Sequence, residues 1–315
     1  MILFLSKRIG LGILTLWAVS ILVFAGTELL PGDVATAILG QGATTETVEA
    51  LREQMGLERP ALERYISWIS NMLRGDLGHS IATGRSVGML MEDRVYNTFL
   101  LAGVTALVSV PLALLLGILS VIYPEGILDR SISMSSLVLI SLPEYFTGAA
   151  LILLFAVTWH IFPAVVYSSQ FTSFWLTMRA LTLPVITLTV AILAHMVRMT
   201  RAAVLDVLRS PYVEMALLKG VPKGRIILRH ALPNSLSPVI NVVAINLGYL
   251  VSGVVLVEAI FSYPGLGRLL TDSVANRDLP LVQGVAMVFC IVYVLLNLLA
   301  DILVSLTNPR LRIKK

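Results

Sequence analysis

The chain has 315 residues, 57% hydrophobic and 13% charged, with a mean hydropathy of +0.88; a water-soluble core of this size cannot hide so much apolar surface, so the bilayer is its solvent. The net charge of +4 and pI near 9.3 require no nucleic acid, because membrane topology accounts for an excess of Lys and Arg. A single cysteine, Cys290, excludes an intrachain disulfide, and His79, His160, His195 and His230 lie too far apart for a metal motif, so no metal is expected.

Crossing the hydrocarbon takes about 20 mostly apolar helical residues, since a helix satisfies its own backbone there. Six stretches meet that requirement: Ile9–Thr27, Thr98–Ile122, Ile132–Trp159, Leu181–Met199, Ser237–Phe261 and Leu281–Leu303. They predict an all-α membrane protein with six transmembrane helices. Lys7 and Arg8 precede the first run, but it exceeds a signal-peptide core and ends in Glu28, Leu29, Leu30, Pro31, which reads as a retained helix. Lys7, Lys219, Lys223, Lys314 and Lys315 all fall on one side of six crossings, which predicts cytoplasmic termini. The resulting organisation is a cytoplasmic N-terminus and first helix (1–29), an outward segment (30–97), a five-helix core (98–308) containing an inward loop (198–235), and a cytoplasmic tail (309–315).

Within the outward segment, Thr45 caps a run with Val48, Leu51 and Met55 at helical spacing, and Pro60 starts a second with Leu62, Tyr65, Ile66 and Ile69 on one face. Both helices are expected to lie against the membrane surface, the other helices or an external protein. The inward loop carries seven Lys or Arg against Asp206 and Glu214. Ser210 and Pro211 open a short helix over Tyr212–Lys219, Gly220 ends it, and Pro222 starts a second that reaches Ala231 before Leu232 and Pro233 lead into the fifth span. Charge alone would explain anchoring to anionic headgroups; a helix–glycine–helix beneath a bundle also suits insertion into a groove on another protein.

The order of residues in this loop resembles the EAA loop of binding-protein-dependent ABC importer permeases: Glu-Ala-Ala, three residues, Gly, nine residues, Ile, one residue, Leu, Pro. Here Glu214, Met215 and Ala216 lead after three residues to Gly220, and after nine more to His230, Ala231, Leu232 and Pro233; Met215 and His230 depart from the pattern. Other stretches are similar to the dipeptide, oligopeptide and nickel branch of that family. They are Val19–Gly40, LREQMGLERP (Leu51–Pro60), LRGDLGHSI (Leu73–Ile81), VEAIFSYPGLGRLL (Val257–Leu270), NRDLPLVQG (Asn276–Gly284) and NPRLR (Asn308–Arg312). The resemblance implies the type I ABC importer permease fold in a bacterial inner membrane. Its implied partners are a second homologous permease, two cytoplasmic ATP-binding subunits and a periplasmic substrate-binding protein, alongside membrane lipid. No cofactor is expected on this chain, ATP being bound by the partner subunits. Glu214, Ala216, Lys219, Gly220, Lys223, Arg225, Leu232 and Pro233 would form the ATPase-coupling element, with Arg229 adding charge.

Ionisable groups inside a bilayer need a partner or a watery route. Glu144, after Pro143 and half way along the third predicted span, is a candidate for the solute path, where it would meet an amine or another cation; a structural pair is the alternative. Glu258 is a further candidate for the solute path, but it and Asp301 lie near span ends, where snorkelling to water is the favoured alternative. Asn241, Gly248 and Ser252 share one face of the fifth span, as a polar lining of the path or a close helix contact. No catalytic residue is expected. A rhomboid-like protease is disfavoured, since the nearest Gly-x-Ser-x string, Gly78–Ala82, is outward, and ATP hydrolysis by this chain is unsupported, since Gly220–Arg225 lacks the Lys-Ser/Thr of a P-loop. A secondary transporter or channel is the remaining rival, disfavoured by the lack of an internal repeat.

Overall fold

The structure is a computed structural model that describes residues 2–29, 44–54 and 58–307. Its elements are α1 (Ile2–Glu28), α2 (Thr45–Gln54), α3 (Ala61–Leu73), α4 (Val87–Ile122), α5 (Ile127–Ser141), α6 (Glu144–Leu151), α7 (Phe174–Leu208), α8 (Pro211–Leu218), α9 (Leu232–Ile260), α10 (Leu266–Ala275) and α11 (Leu279–Thr307). π-Helical turns extend α6 over Ile152–Thr158 and lead into α9 over Ile226–Ala231. Among the described residues the only β pairing is an isolated antiparallel bridge between His79 and Ser86.

Among the described residues five helices, α1, α4, α7, α9 and α11, are long and apolar enough to cross a membrane. The third predicted span differs. Ile132–Trp159 is two helices, α5 and α6 with its π extension, bent by 98°. The cause is local: a residue before proline is pushed out of the helical region, and Leu142 takes φ −88°, ψ 121° while Pro143 starts α6. Composition passes the span test; chain direction does not follow from it. The remaining spans are found as predicted but extend further, α4 beginning at Val87 and α7 running from Phe174 to Leu208.

The described residues divide into two compact units, one drawn from 2–9, 99–263 and 295–307, the other from 10–29, 44–54, 58–98 and 264–294. In the first, α7 is central: 67% of its apolar stretch is buried, against 11% for α11. Helices α5 and α9 pack on α7, and α6 lies against both α7 and α9. Leu181, Leu188, Leu250, Val254, Val257, Phe261 and Tyr263 form the main core, and Met196, Val197, Val242 and Ala113 a second. Arg8 pairs with Asp301 at 3.1 Å, so the predicted span-end carboxylate has a basic partner.

In the second unit α3 lies on α1 through Phe24, Tyr65 and Trp68, and Arg64 grips Glu28 with two hydrogen bonds of 2.7 and 2.6 Å. The face predicted for α3 is therefore split, since Leu62 and Ile66 are exposed while Tyr65 packs inward. Asp278, 1% exposed, gathers the turn at 80–82: Ser80 Oγ donates to it, as do the backbone N–H groups of Ile81 at 3.1 Å and Ala82 at 3.4 Å. Two of the stretches singled out in the sequence, Leu73–Ile81 and Asn276–Gly284, are thus one joint. Leu30–Gly40, the 55–57 portion of Leu51–Pro60, and Asn308–Arg312 with Lys314 and Lys315 lie outside the described residues.

Candidate functional site

The predicted coupling residues fold into one compact device in the first unit. Pro211 pre-sets the first turn of α8, behind Ser210 in an extended conformation. At the other end Gly220 adopts φ +76°, open to glycine without cost. There Gly220 N–H donates to Leu217 O at 2.9 Å and Val221 N–H to Ala216 O at 3.1 Å. That pair of bonds is a Schellman closure, and it satisfies carbonyls the helix would otherwise leave open. Space plays no part, because nothing lies within 4 Å of where a Cβ at Gly220 would stand.

Only Val213 of α8 is buried; Tyr212, Met215, Leu217 and Leu218 are exposed, Leu218 at 77%. Glu214, Lys219, Arg225 and Arg229 are exposed too, and Ala216 is half-buried. The side chain of Lys223 lies outside the described set. The second short helix predicted from Pro222 is no separate element. Lys223–Arg225, the π turns Ile226–Ala231 and α9 run on without a break. Pro233 and Pro238 each lack an N–H, and a proline ring crowds the carbonyl four residues earlier. The wide π turn just before Pro233 accommodates this, Leu232 N–H bonding Ile227 O five residues back. Ile226, Ile227 and Ala231 are buried, so this junction is seated on the bundle while α8 stands out from it.

Glu144 opens α6 just after the bend. Its Oε2 is buried with no hydrogen-bond partner. The carboxylate presses on α9 at Gly253, where a Cβ would come within 3.1 Å of Oε2 and 3.4 Å of Oε1. A side chain there would oblige the carboxylate to give way by a few tenths of an ångström. On the neighbouring face of α9, Asn241 and Ser252 are exposed together with Ile245, Tyr249 and Leu256, and Gly248 is buried. Ser252 and Gly253 are consecutive, about 100° apart around the helix, so the polar stripe and the Glu144 contact border each other. Glu258 differs from expectation: it is fully buried, not at a water boundary, because the turn after α9 folds back over it, with Tyr263 N–H donating to Glu258 O at 2.9 Å.

The sequence reading missed Gly253 and one charged cluster. Arg201 of α7 donates Nε and Nη2 to the two oxygens of Asp129 on α5, at 3.0 and 2.9 Å, and Nε also reaches Ser120 Oγ of α4 at 2.9 Å. Ser120 Oγ and the Glu125 N–H, at 3.1 Å, donate to the same carboxylate. Three helices are clamped ten residues before α8 begins. The pairing spans 72 positions, and no local pattern signals it. Among the described residues no three metal-ligating side chains converge. An exposed apolar helix on a rigid stem can seat in a protein groove, and a half-buried carboxylate with one unpartnered oxygen can receive a cation.

Residues 82–313 match the family model described as binding-protein-dependent transport system inner membrane component, and residues 1–101 match that of the N-terminal part of such membrane components. The chain is 35% identical over 311 residues to a probable peptide ABC transporter permease protein, y4tP, of Sinorhizobium fredii, covering 98% of this chain and 99% of the relative. It is 36% identical over 314 residues to the glutathione transport system permease protein GsiC of Pectobacterium atrosepticum, covering 99% of each. In fold it is similar to a chain of the inward-facing MetNI methionine ABC transporter in its CY5 native crystal form, with a TM-score of 0.55, 19% identity, and coverage of 70% of this chain and 97% of that one.

Proposed function

Because the chain belongs to the family of binding-protein-dependent transport system inner membrane components, we propose that it forms, with a second homologous permease, the path for peptides or a chemically similar small solute. It is a multi-pass permease subunit of an ABC importer in the inner membrane, and the ATPase is a separate subunit. The relatives' names, peptide and glutathione, support the solute class, and both carry a free amine. Glu144 would meet that amine, with Asn241, Gly248 and Ser252 bordering the route and Glu258 buried beneath it. Two cytoplasmic ATP-binding subunits supply the ATP sites, and a periplasmic binding protein delivers the solute. Both termini and the 198–235 loop face the cytoplasm, which the lysine distribution supports.

The observation that carries the coupling role is α8. A helix that exposes Tyr212, Met215, Leu217 and Leu218 has no packing reason of its own to be so apolar. Seated in a cleft of an ATP-binding subunit, it would pass nucleotide-driven closure through the Gly220 turn and the π junction into α9, with Lys219, Arg225 and Arg229 meeting acidic groups. Cysteines placed at Met215 or Leu218 are expected to cross-link to the ATPase, and Leu218→Asp to reduce its co-purification. Solute movement by this chain alone, driven by an ion gradient without ATPase subunits, would refute the proposal.

A further inference from the structure

A groove of about 460 Å³ runs between α5 and α7, lined by Leu137 of α5 and by Arg198, Arg201, Leu205, Asp206 and Arg209 of α7. Its position follows from helix length. The 35 residues of α7 extend for about 52 Å at 1.5 Å each, against about 30 Å of hydrocarbon, so one end projects into the headgroup layer and beyond. Both ends exceed the apolar stretch, with Arg179 at the first and Arg198, Arg201, Asp206 and Arg209 at the second, which puts these four groove residues in the projecting end that leads into α8. These groove residues share one face, since offsets of 3, 7 and 11 from Arg198 return close to the same direction around the axis. The lining is therefore graded: Leu137, 54% exposed, on one side, and guanidinium groups along the other.

The charges do not balance within the groove. Arg201 is committed to Asp129. That leaves Arg198 and Arg209, both exposed, against the single carboxylate of Asp206. One positive charge remains uncompensated, beside an open apolar wall, at headgroup depth. A free anion would use the charge and ignore the wall; a phospholipid uses both, its phosphate on the arginines and its chain along Leu137.

We propose that this groove is a binding site for the phosphate headgroup of an anionic phospholipid in the leaflet on the α8 side. The surplus of one charge favours a net monoanion such as phosphatidylglycerol over a zwitterion, whose ammonium would meet the same surplus. The lipid would lie against the α5–α7 contact, next to the Asp129 clamp and the root of α8. The proposal rests on the reading of α8 as lying outside the bilayer, and it is independent of the solute carried.

The test uses the assembled importer in nanodiscs containing equal phosphatidylglycerol and phosphatidylethanolamine, with bound lipid counted by native mass spectrometry. Wild type should retain phosphatidylglycerol preferentially. The exposed-site variant Arg198→Gln/Arg209→Gln should lose about tenfold of that preference, with unchanged melting temperature. Equal retention by variant and wild type, or equal retention of the zwitterion, overturns the proposal. Displacement of the lipid by millimolar inorganic phosphate also overturns it, in favour of a free-anion site. The same spectra report whether ATPase subunits accompany the chain, so a failure of the importer reading is visible separately from a failure of the lipid site.

Discussion

Replacing Arg201 by Met tests the clamp that joins α4, α5 and α7. The substitution keeps much of the side-chain volume and leaves Asp129, 7% exposed, with only Ser120 Oγ and the Glu125 N–H as donors. Removing one partner of a buried ion pair costs about 3–5 kcal/mol. Since 33% of the Arg201 side chain stays in solvent, the low end applies, about 3 kcal/mol. Asp129→Asn leaves Arg201 a route to water and should cost about 1–2 kcal/mol. The double variant no longer strands a charge, so the cycle should return a coupling of about 2 kcal/mol. Unfolding of the purified permease in mixed micelles measures all four corners. A coupling below about 0.5 kcal/mol, within the additivity of distant sites, would show that the pair is decorative. In the assembled importer, a loosened clamp should let ATP hydrolysis proceed with reduced uptake.

Gly220→Ala forces a Cβ into the left-handed region and should cost about 1–2 kcal/mol with partial loss of transport. Gly220→Pro also removes the bond to Leu217 O, and uptake should cease while ATPase activity uncouples; unchanged uptake would refute the coupling role. Gly253→Ala puts a Cβ 3.1 Å from Glu144 Oε2, so the carboxylate must give way by a few tenths of an ångström, at a cost of up to about 1 kcal/mol read as a lower melting temperature. Glu144→Gln keeps that shape, so uptake of an amine-bearing solute should fall at unchanged expression, and normal uptake would remove Glu144 from the path. Asp278→Ala deprives Ser80, Ile81 and Ala82 of their shared acceptor, about 3 kcal/mol in all, and should open residues 77–86 to proteolytic nicking.

Much of this was legible because it is local. The turn at Gly220 follows from residue type, and the Ser210-Pro211 start of α8 from capping preference, so both lie where the pattern puts them. Six apolar stretches were countable because bilayer thickness sets their length. The bend at Pro143 was not, since hydropathy measures composition and leaves chain direction open. Glu258 was misjudged for a similar reason: distance from a span end says nothing about the turn at Phe261–Tyr263 that closes over it. Gly253 and Gly248 look alike in sequence as small residues on a helix, and it takes the folded chain to bring the Glu144 carboxylate against Gly253. The Asp129–Arg201 pair needed tertiary structure outright.

The unbroken run from Lys223 to Ile260 makes α9 and the foot of the 198–235 loop a single shaft of about 55 Å. A shaft of that length pivoting near its middle moves each tip by about 2.5 Å for a tilt of only about 5°. Small angular play at one end is thereby converted into a displacement larger than a carbon–carbon bond at the other, with no hinge needed along the way.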